Sequence, residues 1–180
     1  MTDLFTLEGR LALVTGSSRG LGRSLARALA RAGARVIVHG RNPEIVEDAR
    51  DEMSRIARQP RGSGMIVNIG SVQSVLARQT IAPYSASKAG IAGLTRGMAA
   101  DLARHGIQVN TLSPGYFATE MNRDLVDDDA FTAWLETRTP AGRWGDFSEL
   151  DGPLLFLASD ASSFVSGQNL VVDGGMTSVV

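Results

Sequence analysis

The 180-residue chain contains no cysteine. This absence excludes disulfide frameworks, thiolate metal sites and cysteine nucleophiles. Long apolar runs are also missing, since none approaches the roughly 18 residues of a membrane-spanning helix. The first ten residues, MTDLFTLEGR, lack the basic start and apolar core of a signal peptide. We therefore expect a cytoplasmic protein without a membrane partner.

The sequence also lacks an excess of charge of either sign. It has 18 basic and 19 acidic residues, so the formal net charge is -1. This balance gives no electrostatic reason to expect nucleic acid as a partner. The two histidines, His39 and His105, are isolated from each other, so no metal site is predicted. At this length we expect one domain over residues 1–180.

Short apolar runs alternate along the chain with stretches of helical periodicity. Strands are predicted at Arg10–Thr15, Ala34–Val38, Met65–Ile69, Ile107–Leu112 and Asn169–Val172. Helices are predicted over 23–32, 42 to about 57, 83–104, 129–136 and 147–158. This alternation predicts an α/β fold with a mostly parallel sheet.

The segment Thr15–Gly22, TGSSRGLG, lies between the first strand and the first helix. Gly16 allows a tight turn there, Gly20 lets the backbone approach a pyrophosphate, and Gly22 permits close packing of the helix on the strand. The free N–H groups of the helix would then face the phosphates. Glycines also serve ordinary turns, but the position between strand and helix favours a dinucleotide site.

The second predicted strand ends at His39-Gly40-Arg41-Asn42, where an NAD site usually carries an acid for the ribose hydroxyls. Arg41, with Arg19 from the glycine turn, could instead neutralise a 2′-phosphate. NADP is therefore favoured over NAD. The alternative is that both arginines are solvated surface residues.

Tyr84 and Lys88, in the run YSASK, lie one helical turn apart and project from the same face. A phenol has a reference pKa of about 10, and a neighbouring ammonium group favours its ionised form. Ser71 follows the strand MIVNI, at the edge where open α/β sheets bind ligands. These residues fit a carbonyl reaction: Tyr84 moves the proton, Ser71 binds the reacting oxygen, and Lys88 tunes Tyr84 and touches the nicotinamide ribose.

The motifs TGSSRGLG, YSASK with Ser71, NTLSPG and VVDGG together resemble a classical short-chain dehydrogenase/reductase. The resemblance implies a Rossmann-type doubly wound parallel sheet, NADP(H) as cofactor, and a homodimer or homotetramer. It places Asn110 beside the sheet as a structural residue and Asp173 in the turn after the last strand. The implied catalytic residues are Ser71, Tyr84 and Lys88. The implied cofactor-binding residues are Gly16, Ser18, Arg19, Gly20, Leu21, Gly22, Arg41, Tyr84, Lys88, Pro114, Gly115 and Thr119.

Longer runs, among them IVNIGSVQS, IAPYSASKAG, PGYFATEM and RTPAGRWG, resemble family members that interconvert D-gluconate and 5-keto-D-gluconate with NADP(H). The implied substrate is a small polyol or keto acid. Gln73 and Arg78 either face its carboxylate or are surface loop residues. The alternatives are a reductase for a 3-oxoacyl thioester, sugar or steroid carbonyl, or a truncated, inactive nucleotide-binding product.

One part of the family pattern has no counterpart in this chain. Between the second strand and the serine strand, the family has a third strand, a fourth strand and intervening helices, whereas here a single helix leads to MIVNI. The junction is predicted near residues 52–61. Either the flanking strands pair in a new register, or residues of a longer protein are omitted. The intact motifs on both sides favour omission.

Two features of the segment after the fourth predicted strand are interpreted more simply. Trp134 and Trp144 flank an irregular excursion and are predicted to pack a mobile substrate lid. The acidic run at residues 127–129 is interpreted either as a cation site or as the charged start of a helix.

Overall fold

The computed structural model describes residues 4–40, 42, 44, 45, 47 and 64–180. These residues form two compact units: one contains the residues up to 47 and Leu154–Ser163, and the other contains Gly64–Pro153 and Phe164–Val180. The single domain over 1–180 stays a prediction, and the predicted junction near 52–61 lies outside the described residues. In the described ranges, no helix is long and apolar enough to span a bilayer.

The first unit is built around a βαβ motif. Strand β1 (Leu11–Val14) leads through the glycine turn into helix α1 (Gly20–Arg31), and strand β2 (Arg35–Val38) follows. The two strands pair in parallel along their whole length. Their contact with α1 is made by small and β-branched side chains, namely Ala26 and Ala30 of the helix and Val14, Val36 and Val38 of the strands. Small side chains on the helix let it lie close to the strands.

The second unit contains a parallel three-stranded sheet in the order β3 (Gly64–Ile69), β4 (Ile107–Pro114) and β5 (Asn169–Val172). The central strand β4 has an uninterrupted buried run over 109–113. Such a run is expected of a parallel strand that is covered on both faces. All five strands of the described residues therefore match their predicted positions within a few residues.

The long helix α2 (Ala82–Leu102) packs against β3 and β4. Buried polar side chains fix this packing: the hydroxyls of Thr95 and Thr111 are 2.7 Å apart, and Asn68 Nδ2 donates to Thr95 Oγ1 at 2.9 Å. A 3-10 turn extends the helix to 105, and Gly106 ends it in the left-handed conformation, with φ of 70°. Glycine is the usual residue there because it has no Cβ to clash. The predicted helix over 83–104 is thus confirmed.

Short helices complete the described chain, namely α3 (Arg123–Val126), α4 (Asp129–Arg138) and α5 (Asp151–Ala158). Asp128 caps α4, because its carboxylate accepts from the backbone N–H groups of Ala130 and Phe131 at 3.0 and 3.1 Å. The interpretation of the acidic run as a helix start is therefore confirmed.

The helix predicted over 147–158 is divided in the structure. A 3-10 turn, Phe147–Leu150, precedes α5 and begins at a capping box formed by Asp146 and Glu149. Pro153 has no N–H to donate to the carbonyl group of Glu149, so a continuous α-helix would lack that bond. Helices and parallel strands nevertheless alternate along the chain, which confirms the predicted α/β class.

The structure describes the start of the helix that is predicted from residue 42. Asn42 Oδ1 accepts from the N–H groups of Glu44 and Ile45 at 3.0 and 3.4 Å. These bonds are the ones expected of an N-cap. The remainder of this prediction lies largely outside the described residues.

The capping box before α5 predicts a pH-dependent contribution to stability. Arg143 donates to both carboxylate oxygens of Glu149, at 2.8 and 2.7 Å, and Asp146 N donates at 2.7 Å. The Arg143 hydrogen bond is the largest cause of a Glu149 pKa of about 2, below the ordinary 4.5. A depressed pKa stabilises the fold above pH 4.5, and this stabilisation is lost as the pH falls toward 2. We expect Glu149→Gln to lower the Tm at pH 7 and to have a shrinking effect as the pH falls through this window.

Thermal unfolding followed by circular dichroism between pH 7 and pH 2 measures this effect. Glu136→Gln, on the exposed side of α4, is the matched control for loss of a negative charge. An equal Tm difference for Glu149→Gln at both ends of the pH range would contradict the linkage.

Candidate active site

The carboxyl ends of β3 and β4 lie at one edge of the three-stranded sheet. Gly70, directly after β3, donates its N–H to Leu112 O at 2.8 Å, and Gly115, directly after β4, donates to Val172 O at 2.8 Å. Ligands of parallel α/β sheets bind outside these carboxyl ends. The sheet therefore presents Ser71 and Gly115 at the edge where a ligand is expected.

Ser71 is 8% exposed and caps a 3-10 turn at Val72–Ser74. Its Oγ accepts from the backbone N–H of Gln73 at 3.2 Å, and its carbonyl accepts from the Ser74 N–H at 2.9 Å. Ser71 therefore caps this turn with its own side chain. It uses Oγ as an acceptor only, so the hydroxyl proton stays available to a reacting oxygen.

Tyr84 and Lys88 both lie on α2. Lys88 Nζ donates to Ile69 O, at the end of β3, at 2.9 Å and lies 5.7 Å from the centroid of the Tyr84 ring. Tyr84 is 47% exposed, which leaves its phenol accessible. Lys88 thus ties the helix to the strand that leads into Ser71. The second unit contains all three of the predicted catalytic residues.

Three of the predicted cofactor-binding residues lie at the end of β4 or shortly after it. A Cβ placed on Gly115 would lie 2.7 Å from Asp173 Cβ, so only glycine fits there. Pro114 ends β4 and Thr119 Oγ1 accepts from Asn122 N at 3.1 Å, as the cap of a 3-10 turn. This segment therefore has a backbone that approaches the end of β5 closely and is fixed by local caps.

Asn110 and Asp173 have the structural roles that the sequence predicted. Asn110 is 1% exposed; its Nδ2 donates to Val165 O at 2.8 Å, and its Oδ1 accepts from Gln168 N at 3.0 Å. Asp173 accepts from the N–H groups of Gly175 and Thr177 at 2.9 and 2.7 Å. These bonds hold the chain on either side of β5.

The glycine turn in the first unit has the geometry of a phosphate-binding turn. Gly16 and Gly20 have φ of 69° and 56°, values that favour glycine. Arg19, the N-cap residue of α1, makes no side-chain capping bond, and the first turn of the helix carries no acid. The N–H groups at the start of α1 are therefore not capped by the Arg19 side chain, and they are suited to bind an anion. The turn fits the pyrophosphate of a dinucleotide.

The other predicted cofactor-binding residues of this turn are exposed or half-buried. Arg19 and Gly20 are exposed, whereas Ser18, Leu21 and Gly22 are half-buried. Arg41 lies outside the described residues, so its predicted contact with a 2′-phosphate stays a prediction.

Ser17 is a positioning residue that the sequence reasoning missed. It is 0% exposed; its Oγ donates to Val14 O at 2.5 Å and accepts from His39 N at 3.0 Å. His39 Nδ1 also accepts from Gly16 N at 3.4 Å. Together these bonds tie the glycine turn to the end of β2. The available signal was a hydroxyl beside the first glycine of the turn.

An aromatic cluster lies beside the segment after β4. Tyr116 contacts Phe131, Trp134 and Trp144 in edge-to-face geometry, with centroid distances of 5.6, 6.1 and 5.9 Å. Trp144 Nε1 donates to Thr132 Oγ1 at 3.1 Å. Both tryptophans therefore pack against Tyr116. The mobile substrate lid that they were predicted to pack stays a prediction. Across the described ranges, no group of three or more His, Asp or Glu side chains could hold a metal ion.

Comparison with protein families assigns the chain to one class. The family model for short chain dehydrogenases matches residues 10–61, and the model described as enoyl-(acyl carrier protein) reductase matches residues 51–177. The chain belongs to the short-chain dehydrogenase/reductase family. The two matched ranges overlap at residues 51–61. The junction near 52–61 stays a prediction.

Individual relatives carry more specific names. A gluconate 5-dehydrogenase from Gluconobacter oxydans is 43% identical over 249 aligned positions, covering 97% of both chains. The 5-keto-D-gluconate 5-reductase of Escherichia coli K12 is 60% identical over 116 residues, which cover 64% of this chain and 46% of that reductase. This match therefore spans about half of the relative. Because an alignment of 249 positions exceeds the 180 residues of this chain, it contains a gap in the chain.

A solved structure gives the same assignment. A gluconate 5-dehydrogenase from Burkholderia cenocepacia, crystallised with NADP and tartrate, is 42% identical, covers 99% of both chains and has a TM-score of 0.89. This similarity confirms the Rossmann-type fold of the short-chain dehydrogenases.

Proposed function

We propose that this protein is an NADP-dependent oxidoreductase that interconverts D-gluconate and 5-keto-D-gluconate. The main support is the 42 to 43% identity, along nearly the whole chain, to two gluconate 5-dehydrogenases. The grouping of Ser71, Tyr84 and Lys88 in one unit supports an alcohol or carbonyl reaction. Other family members act on other carbonyls, so the substrate follows from the similarity rather than from the three side chains.

The described residues fit a dinucleotide cofactor in each unit taken separately. In the first unit, the positive φ angles of Gly16 and Gly20 and the uncapped start of α1 suit phosphate groups. In the second, Gly115 brings the backbone at the end of β4 close to Asp173. We infer NADP rather than NAD because Arg41 follows the second strand where an acid would bind the ribose of NAD.

When bound, NADP(H) would supply the acceptor or donor of the hydride. Tyr84 would take the proton of the C5 hydroxyl during oxidation and return it during reduction. Ser71 would donate a hydrogen bond to the same oxygen from its free hydroxyl proton. Lys88, held by Ile69 O, would place a positive charge beside the Tyr84 ring, 5.7 Å from its centroid.

The direct test is oxidation of D-gluconate by the purified protein, followed as formation of NADPH. We expect turnover with NADP and a kcat/KM at least about tenfold lower with NAD, because a 2′-phosphate contact to arginine is a charge-assisted interaction. An intact mass near 19.1 kDa verifies that the assayed protein is this chain. Absence of turnover in a verified, folded sample would contradict the proposal.

A second candidate is a nucleotide-binding protein without catalysis. The observation in its favour is the gap in the alignment with the Gluconobacter oxydans relative. The family elements that the sequence lacks between the second strand and the serine strand agree with it. It predicts NADPH binding by calorimetry together with no turnover of gluconate, sugar, steroid or 3-oxoacyl carbonyls.

We also infer a cytoplasmic homodimer or homotetramer, as is common in this family. The support is the outer side of α2, where Leu94 is 54% exposed beside the exposed small residues Ala86, Gly90 and Gly97. Small side chains allow a second helix to approach closely.

A further inference from the structure

Gln73 has a buried amide group without a partner. The residue is 7% exposed, and its Oε1 has no hydrogen-bond partner within the described ranges. Leaving a buried acceptor unpaired is costly, and native proteins rarely do so without a reason. The backbone N–H of Gln73 donates to Ser71 Oγ at 3.2 Å, so Gln73 lies directly beside the hydroxyl group that is proposed to bind the reacting oxygen.

Arg78 lies in the same segment and has an unpaired guanidinium group. The side chain is half-buried, with its Cζ atom 5.6 Å from the centroid of the Phe131 ring. Within the described part of the chain, no carboxylate or carbonyl group accepts from this guanidinium. A cation over an aromatic face keeps its N–H edges free for a planar anion.

The ring beneath Arg78 is itself held in place. Phe131 contacts Tyr116 at 5.6 Å, Trp134 at 5.2 Å and Trp144 at 6.0 Å between centroids. A fixed ring lowers the conformational freedom that Arg78 would lose on binding, which favours affinity. This orientation is consistent with a binding role rather than with a freely solvated arginine.

The backbone of this segment is strained at one position. Thr80 has φ of 71°, which is unusual for a β-branched residue. Such strain persists only where the surroundings hold it, and it concentrates at ligand-binding sites. Thr80 lies between Arg78 and Tyr84. The segment from Ser71 to Tyr84 therefore combines backbone strain with an amide oxygen and a guanidinium group that have no hydrogen-bond partner among the described residues.

We propose that Gln73 and Arg78 recognise a polyhydroxy carboxylate, with Arg78 binding the carboxylate and Gln73 binding a hydroxyl beside the reacting carbon. This inference rests on the proposed oxidation of D-gluconate and assigns the residues that select a sugar acid. The guanidinium fork matches a carboxylate in a bidentate pair. The Gln73 amide provides both a donor and an acceptor, as a hydroxyl group requires.

The test for Arg78 compares D-gluconate with D-gluconamide, a neutral substrate with the same hydroxyl groups. We expect Arg78→Gln to raise the KM for gluconate about 10- to 100-fold, since it removes a charge-assisted pair. The kcat for gluconate and both constants for gluconamide should change little. Arg78→Lys should restore part of the preference for the acid. Arg104→Gln, at an exposed site outside the segment from Ser71 to Tyr84, is the matched control.

The test for Gln73 uses Gln73→Met, which keeps the length of the side chain but removes the amide. We expect the KM to rise about tenfold for both substrates, because the lost hydrogen bond is to a hydroxyl that they share. The Tm should stay equal or rise, since the variant no longer buries an unpaired acceptor. A structural role for Gln73 would instead lower the Tm.

The outcomes separate this inference from the proposed function. Wild-type turnover of gluconate with an unchanged acid preference in Arg78→Gln would overturn the inference and leave the function intact. Without wild-type turnover the function fails, and calorimetry with D-gluconate and NADPH then decides the inference. Gluconate binding that is lost in Arg78→Gln and kept in Arg104→Gln supports it, whereas absence of gluconate binding to the wild type overturns it.

Discussion

Replacing Tyr84 with phenylalanine is expected to lower the kcat for D-gluconate oxidation by about 10²- to 10⁴-fold. The variant keeps the ring that lies 5.7 Å from Lys88 Nζ but loses the hydroxyl that we assign to proton transfer. General acid–base catalysis of this kind contributes roughly 10²- to 10⁴-fold. Because Ser71 would still bind the reacting oxygen, substrate binding should be affected far less than kcat.

The measurement combines initial rates with NADPH binding by calorimetry. Cofactor affinity should stay within about threefold of the wild type, since the change removes one hydrogen-bonding group at most. The chain has one other tyrosine, which provides a matched control. Tyr116→Phe removes a hydroxyl without a hydrogen-bond partner in the described residues and keeps the ring contacts of the aromatic cluster. Comparable losses of kcat in the two variants would contradict the assignment to Tyr84.

The grouping of the proposed catalytic residues was predictable because it depends on short-range geometry. Tyr84 and Lys88 share a helix face once the helix forms, whatever it packs against. Ser71 follows a strand whose apolar run is plain in the sequence, and the carboxyl ends of parallel strands lie on one side. The glycine turn was predictable for the same reason, since its residues connect one strand directly to the next helix.

The side-chain contacts that orient the site were not predictable in this way. Ser17 meets His39, Thr95 meets Thr111, and Arg78 meets Phe131 only after distant segments pack together. No periodicity in the sequence specifies such pairs. Gln73 is the clearest case, because the sequence allowed a substrate contact or a surface position, and only its burial with an unpaired Oε1 favours the first.

The largest loss of stability is expected from Gly22→Ala in the turn before α1. A Cβ at this position would collide with the carbonyl oxygen of Gly16 and lie 2.9 Å from its carbonyl carbon. Both are backbone atoms of a turn fixed by Ser17, so no flexible side chain can move aside. Overpacking of this kind costs roughly 1 to 3 kcal/mol or more, which outweighs the gain of up to about 1 kcal/mol in helix propensity.

Gly93→Ala in α2 isolates the propensity effect, because a Cβ there would meet only the end of the Arg96 side chain, at an ordinary contact distance of 3.9 Å. This control should raise the free energy of unfolding by about 0.5 to 1 kcal/mol. Urea unfolding of both variants measures the difference, and calorimetry shows whether Gly22→Ala also weakens NADPH binding. A wild-type urea midpoint in Gly22→Ala would contradict the conclusion that α1 approaches the turn too closely for a Cβ at this position. If it lowers the midpoint but leaves NADPH affinity unchanged, the glycine turn supports the fold and does not bind the phosphates.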